Sequence, residues 1–397
     1  MPSTEKKDTR VQGIDLLRGL CIVFVVLHHV NLRIRFHDSG SGKLIGPAAD
    51  RVLFWSGYYG VIVFFVISGF LITTWTLRRW GSLREIGARQ FYLMRFARIV
   101  PCLAGLLVIL AILDRAGVPR FVINTQHTSL ARALVAASTF HINWLEAKTG
   151  YLPASWDVLW SLSVEEVFYL FFPVVCLLLR KPALIAGFLS CFVLFGPYAR
   201  VHTQNQLWSE YGYPSNMDGI ALGCLAAMLV TRIRLGDRAN LALRISGAAL
   251  CVFVVAFRGT VDRFHLYNLG LDVTVLEVGT ALLLIALQLS FEKRAASAEG
   301  SPETSGSRWF LTATGFLRWF GRNSYEVYLT HMFVIWPMFF LFAHWKFGLN
   351  FMPLLFVTTA ALAGLLGYAV ERYYSDPLNR GLRSKLVLSS QSQNQKS

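Results

Sequence analysis

Apolar runs of spanning length, or slightly short of it, recur near residues 13–31, 53–77, 99–113, 157–179, 182–199, 216–231, 242–257, 270–291, 317–343 and 351–371. Short polar segments separate them. A helix needs roughly 20 apolar residues to bridge a hydrocarbon core about 30 Å thick. The pattern predicts an all-α fold: a polytopic transmembrane helical bundle of about ten spans. Residues 13–378 read as one integral membrane domain, between a short segment (1–12) and a tail (379–397) whose end, SSQSQNQKS, has a disordered composition. The stretch SAEGSPETSGS (297–307) reads as a flexible linker between spans. No internal repeat of the transporter kind is evident. The basic start followed by an apolar run imitates a signal peptide, but no small-residue cleavage motif follows, so the first run reads as an uncleaved span.

Loop charge sets the orientation. Lys6, Lys7 and Arg10 put the N-terminus inside, since cytoplasmic loops carry the excess of Lys and Arg. Arg78, Arg79, Arg84, Arg89, Arg95 and Arg98 fill the next inside loop; Arg180 and Lys181, then Arg232, Arg234, Arg238 and Arg244, then Lys293 and Arg294 fill later ones, and Arg380, Arg383 and Lys385 the tail. The alternation holds only if the weaker run at 130–145 (LARALVAASTFHINWL) does not cross. That run is expected to be an external re-entrant or interfacial helix, and both termini cytoplasmic.

Several runs carry polar groups that lipid would not tolerate. In RGLCIVFVVLHH, Arg18 and His29 lie eleven positions apart, about 20° from one another around a helix, with Asp15 on the same stripe. Arg18 can snorkel and a histidine can sit at an interface, but one shared stripe favours a polar cavity. Ser68 and Gly69 sit mid-span in GVIVFFVISGFLIT, where small residues admit a neighbouring backbone or a ligand. Arg95 and Arg98 precede Pro101 in RFARIVP; the guanidinium fork suits phosphate, on a cofactor or on lipid headgroups. In WDVLWSLSVEEVFYLFFP, Ser161, Glu165 and Phe168 share a face, with Tyr169 close by. Glu165 is the candidate for proton transfer; Glu166 reads as an interfacial acid. Ser324, Tyr328 and His331 form an i, i+4, i+7 stripe, fit for pore lining or for interhelical hydrogen bonds. Asp218, a further lone acid at a helix start in NMDGIALG, fits an N-cap at least as well as a functional role.

Composition agrees with a membrane protein. Hydrophobic residues make up 54 % of the 397, and charged residues 15 %, against about 25 % in soluble domains. The net charge of +15 sits in alternate loops rather than on a compact basic fold, which argues against nucleic-acid binding. The six cysteines show no C-x-x-C spacing and read as buried small hydrophobes, so neither a metal nor a disulfide framework is expected.

The ordered motifs resemble those of the acyltransferase-3 family of integral membrane acyltransferases. They are Arg18-x10-His29; G-x-x-x-F-F-x-x-S-G-F from Gly60 to Phe70; R-x-x-R-x-x-P from Arg95 to Pro101; W-S-L-x-x-E from Trp160 to Glu165, with Tyr169; S-Y-x-x-Y-L-x-H from Ser324 to His331; and Glu371-Arg372. The resemblance implies transfer of an acyl group, usually acetyl from acetyl-CoA, to a hydroxyl of an extracytoplasmic acceptor. Acceptors in the family are mostly carbohydrates such as O-antigen, exopolysaccharide, Nod factor or peptidoglycan, and some relatives acylate macrolides. It also implies a bacterial source and an inner-membrane location. Some relatives carry a fused extracytoplasmic esterase-like domain, which is not expected in this chain.

The residues fit such a reaction. Arg95 and Arg98 would hold the donor's phosphates at the inner face, with Arg18 at the pore mouth and the thioester arm beside Ser68 and Gly69. His29 would act as general base on the acceptor, oriented by Glu165, or would carry the acyl group itself. Ser161, Tyr169, Ser324, Tyr328 and His331 would line the substrate path. A proton-coupled exporter of a modified sugar is the rival reading, and a lipid-acceptor acyltransferase of the inner leaflet a second one. Consumption of acyl-CoA separates the enzyme from the exporter.

Overall fold

The computed structural model describes residues 10–297 and 311–384. The apolar runs fold as helices, and no strand occurs among the described residues. Helices α1 (Gln12–Asn31), α2 (Gly57–Trp80) and α3 (Ala88–Arg115) are followed by the short α4 (Leu130–Ser138) and α5 (Ile142–Thr149). Then come α6 (Leu159–Leu179), α7 (Pro182–His202), α8 (Met217–Val230), α9 (Asp237–Ala256) and α10 (Leu271–Ser297). The last are α11 (Gly315–Arg322), α12 (Ser324–Thr330), α13 (Met332–His344) and α14 (Met352–Val370). Hydrocarbon offers the backbone no partners, so an apolar run must satisfy its N–H and C=O groups internally, as a helix does.

Eight helices among the described residues are long and apolar enough to cross a membrane. The pair α12 and α13, bent by 50° where His331 joins them, makes a ninth if taken as one span. The tenth expected span, α8, has 14 residues and rises only about 21 Å, short of the hydrocarbon thickness. It packs closely along α2 and is largely buried there. The run at 130–145 becomes α4 and α5, nine and eight residues long, and neither crosses. Large apolar side chains such as Leu178, Leu194 and Val357 point outward, the surface that lipid covers and water would not. The chain is an integral membrane protein.

Two sequence expectations shift. The tail expected from residue 379 is helical through 384, because α14 continues through one π-helical turn, Glu371–Ser375, into a further helical stretch. All six cysteines are free thiols, but Cys191 is exposed on the outer face of α7 rather than buried. Lys6, Lys7, most of the 297–307 linker and residues 385–397 lie outside the described residues.

At the centre, α1 packs antiparallel to α2 on one side and to α11 on the other. The α1–α11 crossing is set by paired glycines. A methyl added at Gly19 would lie 1.8 Å from the carbonyl oxygen of Leu317, and one at Gly321 would lie 1.8 Å from that of Asp15. Backbone cannot yield as a side chain can, so Gly19→Ala is expected to destabilise the fold by about 1–3 kcal/mol. Thermal melts in detergent would show this as a lowered midpoint. Gly187→Ala on α7, where a methyl meets nothing within 4 Å, is the control and should melt no lower than wild type. Equal midpoints for the two variants would refute the close crossing.

Candidate active site

A cavity of about 450 Å³ lies between α1, α2, α3, α6 and α12, and the helical extension of α14 reaches its rim. Four arginines line it: Arg18 of α1, Arg95 and Arg98 of α3, and Arg383 of the extension. Arg18 Nη2 donates to Ser324 Oγ at 2.8 Å. The Arg95 guanidinium stacks on the Tyr169 ring, 3.7 Å from its centroid. Nε of Arg95 and of Arg383 is buried with no hydrogen-bond partner. None of the four makes an ion pair within 4 Å among the described residues. Guanidinium groups gathered without paired carboxylates form an anion-binding end.

The opposite wall is α6. Ser161, Glu165, Glu166 and Tyr169 all line the cavity, since a wall that curves round a helix takes in neighbouring residues as well as i, i+4 ones. Glu166 is therefore a cavity residue and not an interfacial acid, with Oε1 buried and unpartnered. Ser68 of α2 hydrogen-bonds Tyr169 through the two hydroxyls. With two carboxylates against four guanidinium groups, the cavity carries a net positive charge. Gly69, one residue on, turns away. A methyl there would lie 1.9 Å from the carbonyl oxygen of Ile220, so Gly69 admits helix α8 and does not line the cavity.

The stripe on α12 joins the cavity to two imidazoles. Ser324 meets Arg18; Tyr328 OH accepts from Ser161 Oγ at 2.9 Å and donates to the carbonyl of Val158 at 2.9 Å. His331, fully buried at the bend, lies 5.8 Å from the Tyr328 ring and 4.9 Å from the His29 ring, centroid to centroid. His29 Nδ1 bonds the Val25 carbonyl at 2.8 Å, and His331 Nδ1 the Tyr328 carbonyl at 2.6 Å. A carbonyl only accepts, so in each neutral ring the proton sits on Nδ1 and Nε2 keeps its lone pair. His331 Nε2 has no partner. Two rings are thus held in the basic tautomer.

This arrangement corrects the assignment of Glu165 as the group supporting His29. Glu165 sits on the cavity wall with Ser68 and the arginines, whereas His331 packs against His29. Helical phase gave the correct face of α6 but not its depth against α1. Nor do His29 and His331 line the cavity; they lie beyond Tyr328. Arg383 was legible only as a basic tail residue, because nothing in the local pattern foretold that the last helix would continue. Asp218 is no N-cap: its Oδ2 lies 2.8 Å from Arg200 Nη1 in a buried ion pair. Among the described residues no group of three His, Cys, Asp or Glu is placed to hold a metal.

The family profile described as "Acyltransferase domain" matches residues 11–370. The peptidoglycan O-acetyltransferase OatA of Listeria monocytogenes is 25 % identical over 345 residues, 82 % of this chain and 49 % of that protein. The O-acetyltransferase OatA of Staphylococcus aureus is 24 % identical over 225 residues, 55 % of this chain and 34 % of that protein. The chain thus spans at most about half the length of these curated relatives. No solved structure matches the chain.

Proposed function

Because the chain belongs to the acyltransferase family whose profile runs through nearly all of it, we propose that it is a membrane O-acyltransferase. It would move an acyl group, acetyl in the first instance, from cytoplasmic acyl-CoA to a hydroxyl of an extracytoplasmic carbohydrate. The observation that carries this reading is one cavity lined by four arginines that make no ion pair among the described residues, with two imidazoles packed beyond its Tyr328. By the positive-inside rule the arginine end faces the cytoplasm, where acyl-CoA is found.

Arg18, Arg95, Arg98 and Arg383 bind the phosphates of the donor. The acyl-pantetheine arm extends along Ser68, Tyr169 and Glu165 toward Ser161 and Tyr328. The acceptor hydroxyl arrives at the His29–His331 pair from the other side. Nε2 of one ring takes the hydroxyl proton as the oxygen attacks the thioester carbonyl; the C–S bond breaks, and the proton passes to the leaving thiolate. Glu165 and Glu166 hold the charge balance of the arginine end. The relatives' names, both O-acetyltransferases and one naming peptidoglycan, support an acetyl donor and an envelope glycan acceptor.

The test uses the purified full chain in liposomes, with acetyl-CoA labelled in the acetyl group and an envelope carbohydrate fraction. Label in an alkali-labile ester on the carbohydrate supports the reading. Acetyl-CoA left untouched while a sugar crosses the bilayer would replace it with the exporter. Within the assay, Arg383→Ala should raise the KM for acetyl-CoA about tenfold with kcat little changed, the loss of one charge-assisted contact to a ground-state ligand. An unchanged KM would remove Arg383 from the donor site.

A further inference from the structure

The imidazole end carries groups that donor binding does not use. Arg33 lies about one helical turn beyond His29, and its charge acts on His28, His29 and His331. Its guanidinium carbon is 4.4 Å from the centroid of the Trp336 ring. That of Arg120, from the turn after α3, is 5.3 Å from the centroid of the same ring. Trp336 is buried, five residues past His331 on α13. Neither arginine makes an ion pair within 4 Å among the described residues. Arg33 Nε and Trp336 Nε1 are both buried without a hydrogen-bond partner.

Two further features bear on this clustering. Arg120 has φ of 73°, in the left-handed region that non-glycine residues seldom occupy. Such a conformation persists where the surroundings over-determine it: the next residue, Phe121, is buried and stacked on Phe333 of α13. The second is charge. Burial and then Arg120 lower the pKa of Arg33, and Asp157 acts the other way. Burial, then the charge of Asp157, pushes Glu146 well above the usual carboxylate range.

We propose that Arg33 and Arg120, braced on Trp336, form an oxyanion subsite beside the imidazole pair, and that the acceptor sugar carries a carboxylate or phosphate that this subsite holds. The proposal rests on the acyltransferase reading for the word acceptor; the subsite itself rests on the arginines. A guanidinium fork takes two oxygens of one such group at once, which fixes the orientation of the sugar as well as its affinity. A headgroup of the outer leaflet offers the same oxyanion chemistry, and the experiment separates the two.

The probes are methyl β-glucuronide and methyl β-glucoside, which differ in the carboxylate. Their binding is measured by NMR titration against the full chain in phosphatidylcholine nanodiscs, and acetyl-CoA binding is measured on the same samples. The glucuronide is expected to bind about tenfold more tightly than the glucoside, and Arg33→Met and Arg120→Met each to remove most of that preference. Arg120 is exposed, so its variant keeps the test open if Arg33→Met fails to fold. Equal affinities in wild type, or binding of neither sugar, overturn the subsite. Loss of the preference in wild type when the discs contain phosphatidylglycerol gives the arginines to lipid and overturns it as well. Absence of acetyl-CoA binding would instead sink the acyltransferase reading and leave any arginine-dependent sugar preference standing.

Discussion

His29→Ala is expected to lower kcat for acetyl transfer by about 10²–10⁴-fold, the usual range for a lost general base, while acetyl-CoA binds as it does to wild type. The two effects separate because the groups are separated. Arg18 and His29 are eleven residues apart on α1, roughly 16 Å along the axis, and only Arg18 lines the cavity. Arg18→Ala should show the opposite pattern, with weakened donor binding. His331→Ala should resemble His29→Ala in sign, since its ring packs on His29 and its Nε2 is the unpartnered atom. Single-turnover rates and equilibrium binding of acetyl-CoA to proteoliposomes decide the matter. If His29→Ala loses donor affinity as severely as Arg18→Ala, the division between a binding end and a proton-transfer end is wrong.

The helices and the polar stripes on them were legible because both follow from one period. Apolar runs of sufficient length become helices in lipid, and residues at i, i+4 and i+7 share a face; Ser324, Tyr328 and His331 each meet an interior partner for that reason. Depth and partner were not legible. Phase placed Glu165 on the inner face of α6 but could not say that it stands opposite Arg95 while His331 stands opposite His29. Gly69 shows another limit: a small residue allows close approach without saying by what, and here it is the backbone of α8. Arg383 reaches the cavity through a helix that outlasts its apolar run. Arg33, Arg120 and Trp336 come from three separate segments, and no local pattern brings them together.

Arg200 is the extreme case of a residue whose role is entirely non-local, and its loss is expected to be the most damaging to stability. It lies in the last turn of α7. In the fold its side chain is 7 % exposed and that of Asp218 is 0 % exposed, with Nη1 and Oδ2 2.8 Å apart. Nε donates to the Gly270 carbonyl at 3.0 Å, Nη1 to the Ser215 carbonyl at 2.7 Å and Nη2 to Thr274 Oγ1 at 2.7 Å. One guanidinium thus ties α7 to α8, to α10 and to the segment before each. Room for the pair comes from Gly196, where a methyl would lie 2.0 Å from Asp218 Oδ2. Arg200→Leu strands a buried carboxylate and three acceptors, a loss of about 3–5 kcal/mol. Arg200→Lys should recover only part of it, because an ammonium lacks the planar fork that meets partners in four directions. Replacing both partners, as Arg200→Leu with Asp218→Leu, should recover more than the lysine does if unpaired charge is the main cost. Because α8 supports the side of α2 facing away from the cavity, the folded fraction of Arg200→Leu should keep the wild-type KM for acetyl-CoA. The measurement is a detergent melt paired with that KM. A midpoint within about 1 °C of wild type would show that the ion pair contributes nothing to the fold. A raised KM at full folding would show that the pair belongs to the donor site after all.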